Sequence, residues 1–116
     1  MFVRPLLLGA IVGVFVFAMA PRHADAALMD GKNLLNACTQ PSGSARRSIC
    51  LGYVAAIADT LAEEGIGRRK ACFGKAKLSA MRDAVVAHLQ KQQENTASEP
   101  ASDAVTVALV NQFSCR

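Results

Sequence analysis

Beyond its N-terminal stretch the chain repeats apolar residues at intervals of three and four, the spacing that keeps side chains on one face of an α-helix. Asp30 is the expected N-cap of a short first helix carrying Leu34, Leu35 and Cys38. Gln40-Pro41-Ser42-Gly43-Ser44 reads as a loop. Ser48 is the expected cap of a second helix running to about Glu64, with Cys50, Val54, Ile57 and Leu61 on one face and Tyr53 alongside. Gly65-Ile66-Gly67 is its stop signal. A third helix, about 77–92, places Leu78, Met81, Val85, His88 and Leu89 on one side. A fourth begins near Ser98-Glu99-Pro100, where Ser caps and Pro suits the first turn, and runs through Val105, Ala108 and Leu109 to Phe113. Val107 and Val110 fall off that face, so either the last helix is wrapped on both sides or the valines form an association patch. Alternating β-branched runs are few. No internal repeat is visible, and 90–102 is the one polar low-complexity block. The predicted class is all-α, a small bundle of four helices.

The N-terminal stretch has a different pattern. Met1 to Arg4 is basic, and Pro5 to Ala20 is an apolar run of 16 residues. As a helix rising about 1.5 Å per residue it spans about 24 Å, short of a bilayer core of about 30 Å. A basic start, a short apolar run and small residues describe a secretory signal peptide. Pro21 spoils cleavage after Ala18-Met19-Ala20, so Ala24-Asp25-Ala26 is the better site. The expected organisation is a signal peptide at 1–26 and a helical domain at 27–116, exported and without stable membrane insertion after cleavage. Taking Arg4, Arg22 and Asp25 from the 13 basic and 9 acidic residues leaves 11 and 8, a net charge of +3. That surplus is mild, and no basic stripe is interleaved with aromatics, which argues against nucleic acid.

All four cysteines, Cys38, Cys50, Cys72 and Cys115, lie beyond the predicted cleavage site. An even count in an exported chain reads as two disulfides. The metal-site alternative is weak, because there is no Cys-x-x-Cys and His88 stands alone in the domain. Helix direction decides the pairing. The 22 steps from Cys50 to Cys72 place those residues at opposite ends of the second helix, roughly 25–30 Å apart. A disulfide needs Cα atoms within about 7 Å. Cys38 and Cys50 meet at one pole, and Cys72 and Cys115 at the other, giving Cys38–Cys50 and Cys72–Cys115. On a chain-entropy estimate these closures contribute about 3 and about 4 kcal/mol.

Catalytic groups are scarce. His88 reads as a helix-face histidine at the edge of the core, and no free nucleophile stands beside it. Glu63 and Glu64 are neighbours that point about 100° apart, so they form no facing acid–base pair. Asp59, near Gly52 and Ala56, lies opposite the apolar stripe, where small residues would admit another helix and Asp59 a hydrogen-bond partner. Gly52, Tyr53 and Asp59 are therefore expected to be structural. Arg68, Arg69 and Lys70, followed by Lys75 and Lys77, form a basic cluster around Cys72. It reads either as a solvated loop beside a helix C-terminus or as a docking surface for an acidic partner. No catalytic residue, metal or cofactor is expected.

Gly31-x-x-Leu34-Leu35-x-x-Cys38, Cys50-x-Gly52-Tyr53-Val54-x-Ala56-Ile57-x-Asp59, Cys72-Phe73, Val85-Val86-x-x-Leu89, Ala104-x-x-Val107-Ala108-Leu109 and Phe113-Ser114-Cys115 together make a family pattern. It resembles the Rap/Tai immunity proteins of bacterial type VI secretion systems across about 31–115. The resemblance implies a periplasmic, disulfide-bonded helical protein, often a homodimer, that docks on a secreted peptidoglycan amidase effector and inhibits it without reacting. The expected contacts are Arg68, Arg69, Lys70, Lys75 and Lys77, with the polar loop holding Gln92 and Asn95 as second choice. The alternative is a periplasmic acid-stress chaperone or another non-catalytic envelope-binding protein.

Non-reducing peptide mapping is expected to recover Cys38 with Cys50 and Cys72 with Cys115. A peptide joining Cys50 to Cys72 would refute a continuous second helix.

Overall fold

The computed structural model describes residues 28–92 and 98–116. The predicted signal peptide at 1–26 and Asn95 lie outside the described residues. Among these residues four helices follow in order: α1 Gly31–Cys38, α2 Ala45–Glu63, α3 Leu78–Lys91 and α4 Ala101–Gln112. Among the described residues no strand forms, only two isolated antiparallel bridges. The all-α class is as predicted.

Local chemistry explains most of the helix ends. The Asp30 carboxylate accepts the Asn33 N–H at 2.8 Å and caps α1. The start of α2 differs from expectation, because Ser44 caps it and Ser48 lies inside the first turn. Gly43, at φ +87°, lets the loop turn sharply, and Ser44 N–H donates to the Pro41 carbonyl at 3.2 Å. The chain is then positioned to enter the helix at once, with Ser44 Oγ accepting from Arg47 N–H at 3.2 Å. Ser48 Oγ donates back to the Ser44 carbonyl at 3.3 Å.

The start of α4 is a second correction. Pro100, not Ser98, occupies the cap position, and no side chain caps it. The backbone does the work instead. Ala101 N–H donates to the Met29 carbonyl and Gly31 N–H to the Glu99 carbonyl, both at 2.9 Å. Each helix thereby satisfies the first orphan donor of the other, through the Asp30–Pro100 bridge. This reciprocal cap holds the start of the fold against its last helix.

The core lies where the four helices meet. Leu34, Leu61, Leu89 and Leu109 are fully buried, with Val54, Val85 and Val105 filling between them. Ile57 and Tyr53 are half-buried against this cluster, and Ala58 completes the inward face of α2. The predicted stripe on α3 holds as well: Val85 and Leu89 are buried, and Leu78 and Met81 pack against the core. On α4 the covered surface extends beyond the predicted face without enclosing Val107. Thr106 is buried beyond the expected face, and Val110 packs on the core. Val107 is half-buried at the edge of a surface hollow. Among the described residues no helix is long and apolar enough to cross a membrane.

The Cys38–Cys50 disulfide is wholly buried, with its Cα atoms 5.1 Å apart, and it clamps the α1–α2 corner. The carbonyls at the end of α1 are all satisfied. Leu35 accepts from the Thr39 hydroxyl, Asn36 from the Gln40 side-chain amide, Ala37 from Gln40 N–H, and Cys38 from Arg82.

Two glycines in and after α2 should respond oppositely to alanine. A Cβ at Gly52 meets nothing within 4 Å, so Gly52→Ala is expected to stabilise by up to about 1 kcal/mol through helix propensity. At Gly65, with φ +82°, a Cβ would lie 2.7 Å from the Arg69 carbonyl, so Gly65→Ala should cost more than about 1 kcal/mol. Urea unfolding midpoints compared at equal slope check both.

Candidate docking surface

The basic segment leaves α2 through a tight stop. Glu64 N–H and Gly65 N–H both donate to the Thr60 carbonyl, at 3.1 and 2.8 Å, and Gly65 then turns with positive φ. Ile66 and Arg69 exchange two backbone hydrogen bonds of 2.9 and 3.1 Å around Gly67, which places Arg68 at the tip of a miniature hairpin. Ala71 is buried and returns the chain to the core, its N–H donating to the Leu61 carbonyl at 3.4 Å. The next residues are fastened to the C-terminus. Cys72 N–H donates to the Phe113 carbonyl at 2.8 Å, Cys72 is bonded to Cys115, and the Phe73 and Phe113 rings are tilted together at 5.2 Å. A turn closed by Ala76 N–H on the Phe73 carbonyl at 2.9 Å leads into α3.

Arg68, Arg69, Lys70, Lys75 and Lys77 are all exposed on this framework. None takes part in an ion pair among the described residues, where the one salt bridge joins the neighbours Arg82 and Asp83. The five do not surround a single depression. Arg69 borders a hollow of about 420 Å³ between the hairpin and α4, where Glu99, Asp103, Thr106 and Val107 form the opposite wall. Gly74 and Ala76, the neighbours of Lys75, line a different hollow of about 340 Å³ with Phe73, Leu78, Met81 and the α2 residues Ala58 and Asp59. The basic segment thus flanks one acid-walled hollow and one apolar hollow.

The expected structural roles on α2 divide. Tyr53 is half-buried and packs against the core. Gly52 faces open space, so no helix approaches closely there. Asp59 is exposed, and its carboxylate accepts no hydrogen bond among the described residues. Gly52 and Ala56 stay exposed, while Asp59 stands at the edge of the hollow lined by Phe73, Leu78 and Met81. Gln92 is the exposed C-cap of α3, with its N–H on the Leu89 carbonyl at 3.3 Å. His88 is half-buried in the last turn of α3. Among the described residues no group of three potential ligands could hold a metal ion.

Two arginines carry structural roles that the sequence reading passes over. Arg47 Nη1 donates to the Gln40 carbonyl at 2.8 Å, and Arg82 Nη1 to the Cys38 carbonyl at 3.0 Å. Both interrupt apolar stripes at helical spacing, Arg47 before Cys50 and Val54, and Arg82 between Leu78 and Val85. A cation inside such a stripe is the signal for a snorkelling side chain with a buried stem and a carbonyl to meet.

A family model described as Rap1a immunity proteins matches residues 30–115. The chain belongs to that family. The match spans all four helices and all four cysteines. Membership indicates an effector-immunity role exercised by binding a protein partner, in a family that is generally non-catalytic. No curated protein sequence matches the chain. In this immunity protein the basic segment is fastened by a disulfide, a ring pair and backbone hydrogen bonds, and it flanks two hollows.

The two disulfides differ in access. Cys38 and Cys50 are fully buried, whereas Cys72 and Cys115 are exposed. Attack by a thiolate requires access to sulfur. Stepwise titration with dithiothreitol, alkylation and mass mapping should therefore label Cys72 and Cys115 first. Simultaneous labelling of all four would show that the bundle opens as one unit.

Proposed function

We propose that this chain is a periplasmic immunity protein that binds a peptidoglycan amidase effector of a type VI secretion system and inhibits it by docking. The observation that carries this reading is the family match over residues 30–115. Export is supported by the oxidised state of the domain, in which no cysteine is free, because disulfides persist outside the reducing cytosol. Docking is supported by the exposed cations on a segment held by a disulfide, a ring pair and backbone bonds. Such a segment loses little freedom on binding, and preorganisation of this kind strengthens association.

In this reading Arg68, Arg69, Lys70, Lys75 and Lys77 approach acidic residues around the amidase cleft, and the inhibitor blocks substrate without reacting. The polar loop beginning at Gln92 and containing Asn95 is the second contact. The dimer implied by the family resemblance belongs to the same reading and is measured by light scattering of the 27–116 product. A chaperone triggered by acid finds less support. Thr106 is the one polar or charged residue buried among the described residues, so no buried carboxylate there waits to be protonated.

The 27–116 product, purified under oxidising conditions, is expected to co-purify with a peptidoglycan amidase and to suppress its activity. Reversal of Arg68 and Arg69 to Glu should weaken binding about tenfold, the scale of two rim charges changed in sign. Failure to bind any type VI amidase rejects the function. Tight binding that is indifferent to both loops rejects the assigned contacts.

A further inference from the structure

A third hollow, about 410 Å³, lies on the side of the α1–α2 hairpin and is not used by the reading above. Its wall is formed by Lys32, Asn33, Leu35, Asn36 and Thr39, and by Arg46 from the first turn of α2. Every one of these is exposed except Leu35, which is half-buried and supplies an apolar floor. No acidic residue lines it. Lys32 and Arg46 take part in no ion pair or hydrogen bond among the described residues, and the Asn33 carboxamide is likewise unengaged. Arg47, the next residue, behaves differently, spending its guanidinium on the Gln40 carbonyl at 2.8 Å.

The position of the two cations adds a second observation. Each lies in the first turn of its helix, and neither first turn contains an acid. The helix dipole is positive at that end, so a cation there is disfavoured and an anion is attracted. At α1 the Asp30 carboxylate already caps the helix, so the start without an acid is that of α2, and both cations line one concave surface that no acidic residue borders. One turn after Arg46 stands Ile49, 54% exposed, one of two large exposed apolar residues among those described. The hairpin beneath is rigid, closed by the buried Cys38–Cys50 bond.

We infer that this hollow is a second protein-binding surface, one that takes an acidic segment of a partner. A carboxylate of that segment sits between Lys32 and Arg46 with the Asn33 amide as donor, and a neighbouring aliphatic side chain covers Ile49 and Leu35. Charge complementarity selects the occupant. The apolar floor and the exposed isoleucine favour a mixed acidic and aliphatic peptide over a phosphate ligand. No aromatic ring lines the hollow to stack a base. The surface shares no residue with the basic segment, so its test stands whether or not an amidase binds there.

The experiment titrates isotope-labelled 27–116 product, both disulfides intact, with acetyl-Glu-Leu-Asp-Glu-Leu-amide and follows backbone amide shifts by NMR. Parallel arms use the same peptide with Lys at each acidic position, and inorganic phosphate alone. Saturable shifts in α1 and the first turns of α2, given by the acidic peptide only and separable from any at the basic segment by their own saturation curve, are expected. In the K32E/R46E variant the affinity should fall about tenfold, and in R68E/R69E it should be unchanged. K32E/R46E should also raise the thermal midpoint, because it removes two cations from helix starts. Four results overturn the proposal: no saturable shift, equal shifts from the Lys peptide, shifts from phosphate without shifts from the peptide, or equal weakening by R68E/R69E. A lowered midpoint in K32E/R46E overturns it too, since the cations would then be structural.

Discussion

The bond between Cys72 and Cys115 ties the segment leading into α3 to the last residues after α4. Everything at that pole is referred to it. Without the crosslink the C-terminal end would be held to this segment at Phe113 alone, by Cys72 N–H on the Phe113 carbonyl and by Phe73 against Phe113. With it, the basic segment is anchored at Ala71 and Cys72 and its cations stand on short stalks. At the other pole Cys38–Cys50 holds α1 antiparallel to α2, and Arg47 and Arg82 bind the carbonyls that the corner leaves over.

Covalent closure matters here because the core is built from small side chains. Six of the buried residues are alanines, at 37, 58, 71, 101, 104 and 108. Burial stabilises roughly in proportion to apolar area, at about 25 cal/mol per Å², so an alanine-rich interior gives little per residue. Small side chains do allow the helices to approach closely, and the reciprocal cap between Gly31 and Ala101 depends on such an approach. The crosslinks act on the other side of the balance by restricting the unfolded chain. Closures of 12 and 43 residues remove about 3 and about 4 kcal/mol of its entropy, against a typical net stability of about 5–15 kcal/mol. Much of the stability of the domain is set before any side chain packs.

The bundle was legible in the sequence because its determinants are local. Apolar spacing on α2 and α3, Asp30 before α1 and the glycine pair after α2 each work within a few residues. One exception came from a partner far along the chain and one from a loop backbone. Ser98 has good capping chemistry, yet α4 is capped by the Met29 carbonyl, which no local window contains. Ser48 and Ser44 are both chemically suitable, and the backbone of Gly43 chose between them. For the surface, the sequence located the cations but not the relief around them. Arg69 faces an acidic wall contributed by α4, and Asp59 lies by an apolar hollow that the segment after Cys72 completes. Concavity is a tertiary property, and so the hollow beside Lys32 and Arg46 had no counterpart in the linear pattern.

Exposed cations and hollows contribute differently to a docking inhibitor. Charges at the rim mainly speed encounter, and salt screens them over about 8–10 Å. Lifetime depends instead on side chains buried at the centre of the contact. The five cations of the basic segment are exposed, so they are suited to steering. The hollow lined by Phe73, Leu78 and Met81 is suited to holding an apolar anchor. Both depend on the same backbone between Cys72 and α3. A substitution that loosens that backbone would therefore weaken steering and retention together, whereas a charge change on the rim would leave retention intact.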